Sequence, residues 1–95
     1  MLIKAGVDIS KLIKQCRVAL NVVDFYLQKH GIELVITSTY EGNHSPGSLH
    51  YANAAFDIRS THINDAILNQ IRIELGIDYD VVDENDHIHI EYDPN

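Results

Sequence analysis

The spacing of the apolar residues changes along this chain, and that change constrains the fold more than any other feature. Over residues 8–30, Leu12, Cys16, Ala19, Val23 and Tyr26 recur at helical spacing, with Ile13, Leu20 and Leu27 beside them. Such a helix has one apolar face that must be buried. Asp8 or Ser10 is suited to cap its start, and His30 followed by Gly31 reads as a basic last turn with a left-handed stop. Ile63, Ile67, Ile71 and Leu75 mark a second buried stripe that Gly76 ends. Residues 32–37, 54–59, 79–82 and 88–92 have the length and composition of strands, and the last two flank the polar turn Asp83-Glu84-Asn85-Asp86 as a hairpin would. The order helix, strand, strand, helix, hairpin predicts an α+β domain with helices packed on one face of a largely antiparallel sheet. Between the first two strands, residues 38–51 form a long polar loop, and in so small a domain a loop of that length is usually functional.

The 95 residues, 45% of them hydrophobic, suffice for one core, so residues 1–95 are read as a single domain. A formal charge of −7 is the wrong sign for binding phosphate backbones or anionic membrane surfaces, which excludes nucleic acid and membrane as partners. A lone cysteine, Cys16, cannot form an internal disulfide. No stretch approaches the roughly 20 apolar residues of a membrane span. The first ten residues lack the continuous apolar stretch of a signal peptide, so the chain reads as made in the cytosol, or released to the cell wall by another factor, and as a monomer. Six histidines are the one unusual item of composition, because imidazole is the commonest metal ligand and titrates near neutral pH.

Along the last strand His87, His89 and Glu91 alternate with Ile88 and Ile90, so a period of two sends the isoleucines to the core and the histidines to the other face. Asp57 lies inside an otherwise apolar strand. A carboxylate there needs a cation or several hydrogen bonds, since a buried unpaired charge is costly. His50, seven residues upstream at the end of the long loop, could join Asp57 and one C-terminal histidine as three ligands of a tetrahedral zinc with its fourth position open. A non-haem iron site uses the same ligand types, so the ligand count alone leaves both metals open.

The run Ser48-Leu49-His50-Tyr51-Ala52-Asn53-Ala54-Ala55-Phe56-Asp57, followed by His87-Ile88-His89, resembles the LAS-type zinc peptidases. These are the D-Ala-D-Ala carboxypeptidases and L-alanoyl-D-glutamate endopeptidases, which share their fold with the Hedgehog signalling domain. Ser48, His50, Ala55 and Asp57 match the family pattern S-x-H-x-x-G-x-A-x-D, and the resemblance spans about residues 37–92. It implies that His50, Asp57 and His89 bind zinc, that Asp86 is the general base, and that His87 stabilises the oxyanion. Asp83, where Hedgehog-like sequences carry a glutamate, is the alternative base. The stretch from His44 to Tyr51 resembles the Hedgehog H-S-x-x-S-L-H-Y and puts His44 at the rim, where substrate binds.

The chain departs from the family pattern at two places. Asn53 replaces the family glycine, which a left-handed backbone would accommodate. Ser38-Thr39-Tyr40-Glu41 stands where many of these peptidases carry S-x-Y-R, so the substrate-binding arginine is not at that place. The expected function is a zinc metallopeptidase cutting peptidoglycan stem peptides, as a phage or small-virus lysis enzyme would. The alternatives are a non-catalytic zinc-bearing module of the Hedgehog kind and a small acidic interaction domain with surface histidines.

Overall fold

The structure, a computed structural model, describes residues 1–40 and 52–94. Its elements are β1 (Leu2–Ile3), α1 (Lys14–Lys29), β2 (Val35–Ser38), β3 (Ala55–Arg59), α2 (Asp65–Leu75), β4 (Tyr79–Asp83) and β5 (His87–Tyr92). The five strands form one sheet in the order β1-β2-β3-β5-β4. Only the β1 and β2 pair is parallel; the other three pairs are antiparallel. Both helices pack against this sheet, giving the expected α+β architecture.

The helix α1 starts later than its apolar stripe predicts, and neither Asp8 nor Ser10 caps it. Asp8 Oδ1 accepts the Ser10 backbone N–H at 2.8 Å, closing a local turn of the kind aspartate forms outside helices. Ile13 takes the N-cap place in an extended conformation without a side-chain cap, and its N–H donates to the Asn53 carbonyl. Leu12, the first residue of the stripe, is buried all the same and enters the core from the turn. The other end follows the sequence. Gly31 has φ +68°, its N–H donates to Gln28 O, and the Ile32 N–H donates to Leu27 O. This double bond pattern satisfies the last carbonyls of the helix and needs a residue at ease in the left-handed region.

The helix α2 begins at an Asn64 cap, whose Oδ1 accepts the Ile67 N–H at 2.9 Å. It ends at Gly76 with φ +87°. Arg72 then clamps it to the sheet by donating from Nε and Nη2 to the Val81 carbonyl at 3.1 and 3.0 Å. Between helices and sheet lies the core: Cys16, Ala19, Leu20, Val23, Leu27, Ile67, Leu68 and Ile71 meet Ile36, Phe56, Ile58, Val81, Ile88 and Ile90. Burial pushes the Cys16 thiol up to about 11, so it packs as an apolar group. Among the described residues no helix is long and apolar enough to cross a membrane.

Two features lie outside the sequence expectation. β1 is only two residues, held by Leu2 N to Leu34 O at 2.8 Å and Lys4 N to Ile36 O at 2.9 Å. In β2 the register shifts by one residue, so that Ile36 pairs with Ile58 but Ser38 pairs with Asp57. This extra residue turns Ser38 onto the face opposite the core, directly across from the aspartate.

Candidate metal centre

The strands β3 and β5 run antiparallel with Asp57 opposite His89, Arg59 opposite His87 and Ala55 opposite Glu91. Residues paired across antiparallel strands share a face, and so do residues two apart along one strand. Asp57, His87, His89 and Glu91 therefore stand together on the side of the sheet away from the helices. Their neighbours Phe56, Ile58, Ile88 and Ile90 are fully buried on the other side, as the period of two predicts.

The side chains form a linked row. Asp57, only 6% exposed, places Oδ1 at 3.1 Å from His89 Nδ1 and Oδ2 at 3.8 Å from His87 Nε2. The far nitrogen of each ring meets a second carboxylate: His89 Nε2 lies 2.6 Å from Glu91 Oε1, and His87 Nδ1 lies 2.6 Å from Asp86 Oδ1. The hydrogen bond to Asp57, followed by that to Glu91, pushes the His89 pKa up against the opposing effect of burial.

The donor pair also fits a metal. Two ligands about 2.0–2.1 Å from a tetrahedral zinc stand roughly 3.4 Å apart. The 3.1 Å between Asp57 Oδ1 and His89 Nδ1 is close to that edge and is also an ordinary hydrogen-bond length, so a cation held by both would require the ring and the carboxylate to turn their lone pairs towards it. His50, the third expected ligand, and His44, the expected substrate contact, lie outside the described residues, as does Ser48. Asn53 has φ +60°, in the left-handed region that asparagine enters more readily than other non-glycine residues.

Asp86 and Asp83 separate at the hairpin turn. By strand parity Asp86 would point with Ile88 and Ile90 into the core, but the turn redirects it. The Glu84 N–H donates to His87 O at 2.9 Å, Asn85 takes φ +75°, and Ser60 Oγ ties the Asn85 carbonyl to the end of β3 at 3.0 Å. Asp86 thereby projects beside His87 with its side chain 88% exposed. It reaches the linked row at the far nitrogen of His87 rather than at Asp57. Asp83 Oδ1 accepts the Asn85 N–H at 2.9 Å and serves the turn itself.

Two further acidic contacts carry no signal in the motif. Glu91 closes the row at His89 Nε2, and Asp80, paired with Glu91 across the hairpin, forms with it and Asp93 a group whose ligand atoms lie within 4.8 Å of one another. This trio is the group of three potential metal-ligating side chains that the described residues bring together; such surface carboxylates commonly cluster without an ion. The strand alternation marks Glu91 as sharing the histidine face, but only the side-chain geometry assigns it a partner. No family model matches this chain, and no solved structure matches it.

Proposed function

We propose that the chain is a zinc-dependent peptidase that hydrolyses amide bonds in peptidoglycan stem peptides. The observation that carries the reading is the buried Asp57 carboxylate set 3.1 Å from His89 Nδ1 across β3 and β5. An aspartate in a largely apolar strand is thereby joined to a histidine thirty-two residues away, and these are two of the three residues that the peptidase resemblance implies as ligands. The substrate class rests on the resemblance of the segments around His50 and His89 to the LAS-type peptidases.

His50, Asp57 and His89 would hold the metal. Zinc there would supply Lewis acidity to a water molecule and to an amide carbonyl. The remaining chemistry belongs to side chains on the page. Asp86, 88% exposed, would turn from the far nitrogen of His87 towards the attacking water, take its proton on the carboxylate and return it to the leaving amine as the C–N bond breaks. His87 faces Asp57 with Nε2 and holds its Nδ1 against Asp86. When protonated on both nitrogens, it donates from Nε2 to the oxygen that gains charge as the carbonyl is attacked. The missing arginine of the S-x-Y-R segment favours a second reading, a zinc-bearing binding module in which the metal stabilises the fold.

Mass spectrometry of purified peptidoglycan after incubation with zinc-loaded protein tests the first reading. Peptide fragments that have gained one water are expected, and Asp86→Ala should bind zinc equally while releasing at least about a hundredfold fewer fragments. Zinc uptake without any fragment would overturn hydrolysis and leave the binding module. Absence of zinc uptake would end both readings.

A further inference from the structure

We propose that Glu91 is a positioning residue whose carboxylate keeps the proton of His89 on Nε2, so that Nδ1 is presented bare on the Asp57 side and the site binds zinc tightly. This rests on the metal centre proposed above and assigns it a component that the peptidase resemblance does not supply. A neutral imidazole carries one N–H, and the nitrogen that carries it cannot bind a metal. The hydrogen bond made by the second nitrogen therefore decides whether the first is available.

Three observations place Glu91 in that role. Its Oε1 lies 2.6 Å from His89 Nε2, the length of a strong charge-assisted bond and shorter than the 3.1 Å contact of Nδ1 with Asp57, so of the two carboxylates Glu91 has the closer hold on the ring. Ala55 stands directly across the sheet from Glu91, and its small side chain leaves room for the carboxylate to lean along β5 towards the ring. Asp80 and Asp93 lie beside Glu91, so the Nε2 end of the imidazole faces a concentration of negative charge. That charge favours an N–H pointing outward from the site. Asp57 faces Nδ1 through the longer contact of 3.1 Å and would share the cation, whereas Glu91 would remain on the proton.

The test compares the parent with Glu91→Ala and Glu91→Gln by zinc titration against a coloured chelator. It is paired with nitrogen-15 NMR of the His89 ring in zinc-free protein at alkaline pH. Glu91→Ala should weaken zinc binding by about 10–100-fold with an unchanged circular dichroism spectrum, and should shift His89 from the Nε2–H tautomer to a mixture. Glu91→Gln keeps an accepting oxygen and should retain the tautomer and most of the affinity. Zinc affinity of Glu91→Ala within twofold of the parent, or unaltered ring nitrogen shifts, would overturn the role of Glu91 while leaving the metal centre standing. A glutamine variant no better than alanine would also overturn it. A parent that takes up no zinc would overturn the metal centre itself and this proposal with it.

Discussion

Phe56 and Asp57 are consecutive residues of one strand, almost equally hidden from solvent at 0% and 6% exposure, and they serve opposite faces of the sheet. Phe56 pairs with Ile90 and points at the helices; Asp57 pairs with His89 and points away from them. Equal burial thus hides two different kinds of energetics. An apolar ring gains free energy by leaving water, whatever its neighbours are, provided they pack. A carboxylate loses free energy on leaving water unless particular partners receive it. The helix face of β3 and β5 can therefore be repacked by similar residues, whereas the opposite face depends on the identity of each side chain and on the register that brings them together.

Substitutions at these two neighbours break the comparison most sharply. Phe56→Ala removes the largest fully buried side chain and should cost about 3–5 kcal/mol, a large part of the 5–15 kcal/mol that holds a typical domain. Urea unfolding should show a greatly lowered midpoint, or no folded baseline. Asp57→Ala should cost the chelator-treated protein less, about 1–3 kcal/mol, because it strips His89 of an acceptor without opening the core. On the proposed ligand set, metal analysis of zinc-treated protein should find about one zinc per chain in the parent and close to none in Asp57→Ala. Zinc retained by Asp57→Ala would remove Asp57 from the ligand set. A stability loss in chelator equal to that of Phe56→Ala would erase the distinction between the faces.

How far the two faces were legible in the sequence follows from the same physics. The helix face announces itself by periodicity, so α2, the hairpin and the isoleucines of β5 stand where their spacing puts them. β1 could not be anticipated, since two residues cannot display a period and both are exposed. The start of α1 was ambiguous because Asp8 and Ser10 suit a helix cap and a local turn equally well, and Ile13 settles the matter by bonding to Asn53. On the other face, residue types and alternation marked Asp57, His87 and His89. The register shift that sets Ser38 against Asp57 has no sequence signature, because an extra residue in a strand looks like any other. The turn that carries Asp86 to His87, and the lean of Glu91 towards His89, depend on side-chain directions that spacing does not specify.

The smallest effect expected is a pH dependence that takes opposite signs with and without metal. In zinc-free protein the His89 pKa is raised above its ordinary 6.5, chiefly by the hydrogen bond to Asp57 and then by Glu91, against desolvation. A group whose folded value is raised contributes its stability in full below the unfolded value and loses it as pH climbs through the folded value. Chelator-treated protein should therefore lose this contribution to its urea midpoint as pH rises from about 6.5 through the folded value. Zinc needs the unprotonated Nδ1, so loaded protein should gain stability over the same interval as protons cease to compete for the site. His89→Gln should flatten both trends. Parallel slopes in loaded and chelated protein would mean that metal and proton do not contend for His89, and the polar face would then be an electrostatic network rather than a metal centre.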